Sequence, residues 1–372
     1  MKFYFIAGEA SGDLHGANLI KALRAIRNDL ELRGWGGDKM KAAGADVVKH
    51  YRELAFMGFV EVLMNLRTIL RNIDICKKDI AAFKPDALVL IDYPGFNLRI
   101  AEWAHAKGIK VYYYISPQVW AWKQNRVHKI KQCVDKMFVV LPFEKDFYKR
   151  FHFDVEFVGH PLLDEIEHLQ NNNPQSAFRT RNNLSDKPII ALLPGSRKQE
   201  IATMLPLMTQ VRESFPGHQF VIAGAPGQAE DYYKTFVSGS DVKIVFGQTY
   251  NLLQSATSAL VTSGTATLET ALFRVPQVVC YKGNRISYLI AKRLVKVKYI
   301  SLVNLILDRI AVRELIQNDL TVENMKSELR KITLNETARE LMLTDYDELH
   351  DKLGGTGASE RVASALLKIS GN

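Results

Sequence analysis

The stretch Ser258-Ala-Leu-Val-Thr-Ser-Gly-Thr-Ala-Thr-Leu-Glu269 reads as a buried strand, a tight turn and the start of a helix. A helix start has free backbone N–H groups and a dipole that favours negative charge, and small residues let a ligand approach them. The turn is therefore a candidate phosphate-binding site. Its four members are Ser263, Gly264, Thr265 and Ala266. The alternative is an ordinary capped helix, with Thr265 as the cap.

Glu269 falls about one turn into this predicted helix. An anionic side chain does not bind phosphate, but it can accept hydrogen bonds from the hydroxyl pair of a ribose. The same side chain could instead serve only as a partner of the helix dipole. The residues alone leave both interpretations open.

Composition limits the class of protein. The chain has 372 residues, 47% hydrophobic content and a net charge of +9, which fits a two-domain globular enzyme with an anionic ligand or surface. Three isolated cysteines favour neither a disulfide framework nor a metal cluster. The N-terminal apolar run is too short for a secretory signal, and no run approaches membrane-spanning length. We expect a cytoplasmic protein, soluble or peripheral to a membrane.

Short apolar runs alternate with helical periodicity along most of the chain, which predicts parallel sheets covered by helices. The predicted strands are 3–7, 31–34, 87–91, 110–115 and 136–140, then 189–193, 219–223, 243–246, 258–262 and 277–280. Polar stretches at 170–174 and 182–188 indicate a connection between domains. We therefore predict two Rossmann-like domains at 1–170 and 180–345. After Ile300 the pattern is helical, and the helix at about 350–372 could fold back on the first domain or exchange between subunits.

Two carboxylates follow predicted strands of the first domain, where ligands of such sheets bind. Glu9 occupies the first turn, and its charge argues against a dinucleotide fingerprint there. Asp92 follows strand 87–91, and because Asn97 is expected to cap the next helix, Asp92 lacks an obvious structural task. Asp92 is our candidate general base. It could instead bond the loop amides before Pro94. For Asp13 we favour helix capping over ligand contact.

The stretch 54–71 carries too many apolar residues for one buried helix stripe, and basic residues follow it. Such a patch suits an acyl chain or an anionic membrane surface, whereas the alternative is ordinary core. Its candidate members are Met57, Phe59, Val60, Val62, Leu63 and Leu66. The aromatic and basic residues of 116–131 fall at helical spacing, so we do not predict nucleic-acid binding.

The loop after strand 189–193 offers a second anion site. Gly195 allows close approach, Ser196 offers a hydroxyl, and Arg197 can hold a phosphate through two hydrogen bonds. This loop can lie beside the turn at Ser263. Because no Asp-x-Asp element, His-rich spacing or Walker loop occurs, we predict a diphosphate site without a metal or other cofactor.

The motifs form a recognisable set that resembles the lipid-A-disaccharide synthase family. They are Gly8-Glu-Ala-Ser-Gly-Asp13, Met57-Gly-Phe-Val-Glu-Val-Leu63, Ile91-Asp-Tyr-Pro-Gly-Phe-Asn97, Ser116-Pro-Gln-Val-Trp-Ala-Trp122, Leu193-Pro-Gly-Ser-Arg197, Ser263-Gly-Thr-Ala-Thr-Leu-Glu269, Lys292-Arg-Leu-Val-Lys296 and Tyr299-Ile-Ser-Leu-Val-Asn304. They cover most of the chain. Gly95 stands where the family carries an acidic residue, which leaves Asp92 as the carboxylate of its loop.

The resemblance implies a GT-B glycosyltransferase with two Rossmann-like domains whose sheets face each other across a cleft. It implies transfer of 2,3-diacylglucosamine from UDP to 2,3-diacylglucosamine 1-phosphate, with inversion, to give the β-1,6-linked disaccharide of lipid A in a Gram-negative bacterium. Asp92 would take the proton, and Glu9 and Asn304 would position sugar or diphosphate. The implied setting is the inner face of the inner membrane, with a homodimer possible. Two alternatives are another UDP-sugar enzyme, such as a 2-epimerase, and a sugar-binding protein without catalysis.

Overall fold

A computed structural model describes residues 1–53, 66–122, 124–172, 175–237, 239, 241–284 and 297–370. The chain divides into two compact units. Unit 1 comprises Met1–Asp164 and Leu353–Asn372, and unit 2 comprises Glu165–Lys352. Each unit is built around its own parallel sheet.

Unit 1 contains a seven-stranded sheet in the order β3-β2-β1-β4-β5-β6-β7. Its strands are β1 (Lys2–Ala7), β2 (Glu31–Gly36), β3 (Asp46–His50), β4 (Ala87–Ile91), β5 (Lys110–Tyr114), β6 (Lys136–Val139) and β7 (Glu156–Phe157). The helices that connect or follow them are α1 (Ala10–Ile26), α2 (Asp38–Ala42), α3 (Leu66–Phe83), α4 (Pro94–Ala106), α5 (Arg126–Cys133) and α6 (Pro142–Lys149), and α7 (Leu162–Asn172) begins in unit 1 and continues into unit 2 after Asp164. The central strands β1 and β4 are buried almost throughout, because helices cover both faces of such a sheet.

Unit 2 repeats this plan with six strands in the order β10-β9-β8-β11-β12-β13. The strands are β8 (Ile189–Leu193), β9 (Gln219–Gly224), β10 (Lys243–Phe246), β11 (Ala256–Thr262), β12 (Gln277–Tyr281) and β13 (Arg313–Ile316). The helices are α8 (Gln175–Arg181), α9 (Lys198–Gln210), α10 (Glu230–Val237), α11 (Thr249–Ser255), α12 (Thr265–Leu272), α13 (Leu302–Leu307), α14 (Val322–Leu334) and α15 (Glu336–Lys352).

The last helix, α16 (Ala358–Ser370), belongs to unit 1, where it packs against α1. The carboxylate of Asp164 accepts hydrogen bonds from the amides of Gly357 (2.6 Å) and Ser359 (3.4 Å) at the start of this helix. Arg361 donates through Nε to the carbonyl of Val158 at 2.8 Å. These bonds fasten the C-terminal segment to the unit in which the chain begins.

Both sheets have a topological switch point, which is the place where ligands bind in open parallel sheets. In unit 1 the strand order reverses between β1 and β4, and in unit 2 it reverses between β8 and β11. The loops that leave these four strands at their carboxyl ends are 8–9, 92–93, 194–197 and 263–264. Each unit therefore offers one crevice position at its own carboxyl edge.

Several local predictions need correction. The edge strands β3, β7 and β13 were not predicted, and β13 interrupts the stretch after Ile300 that was expected to be helical. Helices α7 and α8 occupy most of 162–181, where the polar run at 170–174 was interpreted as linker. The predicted apolar patch at Met57, Phe59, Val60, Val62 and Leu63 lies outside the described residues, as do the side chain of Leu66 and the motif 292–296.

Candidate active site

Glu9 and Asp92 lie on adjacent loops at the switch point of unit 1. Ala7, the last residue of β1, is in register with Ile91, the last residue of β4, so the two carboxylates follow paired strand ends. Glu9 is exposed at the N-cap position of α1 and makes no capping bond with its side chain. Asp92 is half-buried. The sequence prediction that both carboxylates stand at this edge is consistent with their positions.

The backbone at Asp92 adopts an unusual conformation. Asp92 and Tyr93 have φ angles of +44° and +48°, and two consecutive left-handed residues other than glycine are uncommon. The turn lets Pro94 begin α4, the position at which proline is favoured. The ring of Tyr93 lies against Gly8, where a Cβ atom would come within 2.3 Å of it. Glycine at position 8 thus permits the close approach of the two loops.

The environment of Asp92 changes its acidity. Burial raises the pKa of its carboxyl group from an ordinary 3.8 to about 6, and the negative charge of Glu9 contributes in the same direction. The group is therefore ionised at neutral pH yet a stronger base than an exposed aspartate. A carboxylate in this state suits proton abstraction near neutral pH.

Other polar residues near this edge have structural tasks. Asp13 does not cap its own helix. Its carboxylate accepts hydrogen bonds from the amides of Gly37 (2.7 Å), Lys39 (3.1 Å) and Met40 (3.0 Å), and so caps α2. Asn97, which was expected to begin a helix, lies inside α4, and its amide donates to the carbonyl of Asp92 at 2.7 Å.

Two histidines near α1 are neutral at physiological pH. Burial lowers the pKa of His15 to about 4. It lowers the pKa of His160 to about 3, with His15 acting in the same direction. His160 accepts a hydrogen bond at Nδ1 from the amide of Leu162 at 3.2 Å. Neither imidazole holds a proton near pH 7, so neither is suited to act as a general acid there.

The switch point of unit 2 carries a different set of groups. Leu193 at the end of β8 is in register with Val261 near the end of β11, so the loops that follow are neighbours. In the first loop, Gly195 has a φ of +102°, which favours glycine. Ser196 and the side chain of Arg197 are exposed, and Arg197 is the N-cap residue of α9. The predicted members of this anion site therefore share one accessible loop.

Glu200, at the third position of α9, bonds back to this loop and was not predicted. Its Oε2 accepts hydrogen bonds from the amides of Ser196 (3.1 Å) and Arg197 (3.2 Å), while Oε1 lies 3.3 Å from Nη1 of Arg197. A glutamate at the third helical position commonly bonds back to the helix start, so the spacing between Arg197 and Glu200 carried the signal. The loop amides thus already hold an anionic group.

The turn after β11 is open above its backbone. A Cβ atom at Gly264 would meet no atom of the described residues within 4 Å. Gly264 is the N-cap residue of α12 and Thr265 is exposed at the first helical position, so Thr265 is not the cap. Ser263 donates its hydroxyl to the carbonyl of Ile300 at 2.8 Å. Ala266 is half-buried at the second helical position. The turn offers backbone amides at a helix start.

Glu269 is a half-buried carboxylate in the middle of α12. Tyr250 donates its hydroxyl to Oε1 of Glu269 at 3.3 Å, and burial raises the pKa of the carboxyl group. An acceptor that has one donor already and retains further lone pairs is suited to bind hydroxyl groups. Its predicted role as a ribose ligand stays a prediction.

Asn304 has a different role from the one predicted. It is 1% exposed, its Oδ1 accepts from the amides of Ala311 (2.8 Å) and Val312 (2.9 Å), and its Nδ2 donates to Val312 and Glu314, both at 2.9 Å. All four hydrogen-bonding positions of the amide are used. As placed here, Asn304 has no group left for a diphosphate and instead organises the segment before β13.

The family model described as lipid-A-disaccharide synthetase matches residues 3–369 of the chain. The chain belongs to the lipid-A-disaccharide synthase family. It is 40% identical to the lipid-A-disaccharide synthase of Syntrophus aciditrophicus over 98% of this chain and 96% of the relative. The corresponding synthase of Myxococcus xanthus is 39% identical with the same coverage, and that of Coxiella burnetii strain CbuG_Q212 is 37% identical over 98% and 97%. The predicted family is confirmed.

Solved structures agree on the fold of this synthase family member. The UDP-GlcNAc 2-epimerase of Neisseria meningitidis, bound to UDP-GlcNAc, has a TM-score of 0.68 at 15% identity, covering 99% of this chain and all of that one. The calicheamicin glycosyltransferase CalG4 has a TM-score of 0.59 at 14% identity, covering 100% and 99%. The predicted α/β fold of the GT-B class is confirmed.

Family membership makes the chain a glycosyltransferase of lipid A biosynthesis, as predicted. Its substrates are therefore lipid-linked sugars. Among the residues that the structure describes, no helix is both long and apolar enough to cross a membrane.

Proposed function

We propose that the enzyme transfers 2,3-diacylglucosamine from its UDP conjugate to 2,3-diacylglucosamine 1-phosphate and releases UDP. The observation that carries the proposal is Asp92, a half-buried carboxylate at the switch point of unit 1 whose pKa is raised to about 6. Lipid A disaccharide synthesis needs a base for a sugar hydroxyl, and this group has the position and acidity of one.

The proposed chemical step is a single displacement. The 6-hydroxyl oxygen of the acceptor attacks the anomeric carbon of the donor, and its proton passes to the carboxylate of Asp92. The bond from that carbon to the β-phosphate oxygen of UDP breaks, and the phosphate takes the electron pair. Attack from the face opposite UDP inverts the anomeric centre and gives the β-1,6 linkage. Glu9 would hold the sugar and keep the pKa of Asp92 high.

Unit 2 supplies the groups that the leaving UDP needs in this proposal. The guanidinium of Arg197 and the amides at Gly264–Ala266 would offset the negative charge that grows on the diphosphate. Glu200 accepts from the amides of Ser196 and Arg197, so a diphosphate that used these amides would take its place. Glu269 would accept hydrogen bonds from the ribose.

We also propose that the enzyme works at the inner face of the inner membrane. Both proposed substrates carry acyl chains, and the net charge of +9 favours an anionic lipid surface. The apolar sequence 57–66 would contact the acyl chains or the membrane. Replacing Phe59, Val60 and Leu63 by Ser should reduce sedimentation with anionic vesicles, with circular dichroism unchanged. Loss of folding in this variant would instead assign the stretch to the core.

The activity test uses the two purified substrates and measures UDP and disaccharide. We expect both products in equal amounts from the wild type, and a loss of about 100-fold or more in kcat from Asp92→Asn. Asp86→Asn is a matched control, because Asp86 lies beside the other end of β4 and accepts from the amide of Lys2 at 2.7 Å. Conversion of the UDP-sugar without disaccharide would instead favour an epimerase, and full activity of Asp92→Asn would remove its role as base.

A further inference from the structure

The main chain of Asp92 is held at both of its polar groups. Its amide donates to the carbonyl of Tyr114 on the neighbouring strand β5 at 3.2 Å. Its carbonyl oxygen accepts from the hydroxyl of Tyr113 at 2.5 Å and from Nδ2 of Asn97 at 2.7 Å. A carbonyl with two side-chain donors and an amide with a strand partner leave this residue little freedom to rotate.

These contacts act on a conformation that would not persist by itself. The φ of +44° at Asp92 is followed by +48° at Tyr93, and such angles survive in residues other than glycine only where the surroundings impose them. A relaxed backbone would turn the carboxylate of Asp92 in another direction. The hydrogen bonds to its carbonyl therefore bear on where its side chain points.

Both donors are themselves fixed. The ring of Tyr113 is completely buried within β5. The side chain of Asn97 is also fully buried, and its Nδ2 lies 3.2 Å from the carbonyl of Ile91 and 3.4 Å from that of Ile6. Asn97 thus joins the carboxyl ends of β1 and β4 to the turn that contains Asp92. Rigid donors of this kind transmit a defined geometry to the group they bind.

We propose that Tyr113 and Asn97 are positioning residues of the transfer reaction, which hold Asp92 in its left-handed conformation and so aim its carboxylate at the acceptor hydroxyl. The inference rests on the proposed role of Asp92 as base. Neither Tyr113 nor Asn97 contacts the substrate in this proposal. Their contribution falls on the chemical step, because a small misplacement of a base slows proton transfer without weakening the binding of substrate.

The test compares Tyr113→Phe with Tyr148→Phe. Tyr148 is a matched control, since its hydroxyl is also buried and hydrogen-bonded, at 2.7 Å from Oγ of Ser116, but not to Asp92. We expect Tyr113→Phe to lower kcat about tenfold or more while both KM values change less than about twofold. We expect Tyr148→Phe to retain kcat within about twofold, since its lost hydrogen bond is not to the base.

The pH profile separates positioning from stability. When the carboxylate of Asp92 is freed toward solvent, its pKa should fall from about 6 toward 3.8, so the acid limb of kcat should move to lower pH in Tyr113→Phe. Among the residues that the structure describes, Glu9 is the other charged group that acts on this carboxylate, and it is unchanged in both variants. An unshifted acid limb, with kcat equal to that of Tyr148→Phe, would overturn the inference.

Asn97→Ala is the second variant, and circular dichroism with thermal unfolding checks that it folds, because Asn97 lies in unit 1 whereas the groups proposed to bind UDP lie in unit 2. We expect its UDP affinity to stay within about twofold while kcat falls as in Tyr113→Phe. Retained kcat in both variants, with Asp92→Asn inactive, would overturn the positioning role and leave the proposed function intact. A fully active Asp92→Asn would instead refute the base assignment, and the positioning role with it.

Discussion

The substitution Asp92→Asn should make the protein more stable while it abolishes transfer. Burial and the charge of Glu9 raise the pKa of Asp92, which means that the folded protein holds the ionised carboxylate at a cost. Asparagine has nearly the same shape and tolerates the left-handed conformation that residue 92 adopts, at φ +44°. The change therefore removes the charge and keeps the backbone.

The magnitude follows from proton linkage. A rise in pKa from 3.8 to about 6 corresponds to roughly 3 kcal/mol, at about 1.36 kcal/mol for each pH unit. The pKa of Asp92 is higher in the folded protein than in the unfolded chain. The contribution of this carboxyl group to the free energy of unfolding is therefore fully present below pH 3.8 and is lost as the pH rises through 6. Screening by solvent at this half-buried site reduces the effect, so we expect a gain of roughly 1–3 kcal/mol for Asp92→Asn above pH 7.

Thermal unfolding of both proteins between pH 4 and pH 8 measures this gain. For a unit of this size, each kcal/mol moves the unfolding midpoint by about 2–4 °C, so Asp92→Asn should unfold several degrees higher at pH 8. The difference should shrink toward pH 4, where the wild-type carboxyl group is protonated when folded. Asp86→Asn, at an exposed carboxylate, should show no such gain. A difference for Asp92→Asn that is zero or independent of pH would refute the reasoning.

Three further substitutions test the other assignments. Arg197→Ala should weaken UDP binding by about 10- to 100-fold, since a hydrogen bond to a charged group contributes roughly 1.5–3 kcal/mol; calorimetry measures it, and equal loss of acceptor binding would contradict the assignment. Asn304→Ala leaves the amides of Ala311 and Val312 without their acceptor, so the free energy of unfolding should fall by about 2–4 kcal/mol in urea titrations. A stable variant with lost UDP affinity would restore Asn304 as a ligand. Asp13→Ala removes the cap of α2 and should cost about 1–2 kcal/mol in the same titrations, whereas impaired catalysis at full stability would argue for substrate contact.

The buried centre of each sheet could be predicted from the sequence, whereas the edge strands β3, β7 and β13 could not. Strands β4, β8 and β10 begin and end at the predicted residues, since β4 and β8 are apolar runs covered on both faces. Strand β3 reads Asp-Val-Val-Lys-His and β13 reads Arg-Glu-Leu-Ile. Such short polar strands are recognisable only by the neighbour to which they bond, which the local pattern does not contain.

The residues of the candidate site also differ in how far the sequence predicts their positions and contacts. The positions of Glu9 and Asp92 could be predicted, because both residues directly follow buried strands and the ends of parallel strands share one edge of the sheet. The role of Asn304 depends on its hydrogen bonds to Val312 and Glu314, 8 and 10 residues further along the chain. The role of Asp13 depends on the start of α2, 24 or more residues away. The start of α4 could have been predicted, because Pro94 is favoured at the first position of a helix and Asn97 is not its cap.

The distribution of charge between the two switch points has a chemical reason. Asp92 depends on an apolar setting and on the negative charge of Glu9 for its basicity, and a diphosphate site next to it would require cations or aligned amides that lower the pKa of a carboxyl group. The proposed diphosphate site would gain from the opposite setting, which Arg197 and the helix-start amides of unit 2 would supply. One edge could not satisfy both requirements without weakening one of them. The chain repeats the same sheet plan in both units. The ends of β1 and β4 carry the carboxylates of the proposed base, and the ends of β8 and β11 carry the amides and the guanidinium of the proposed diphosphate site.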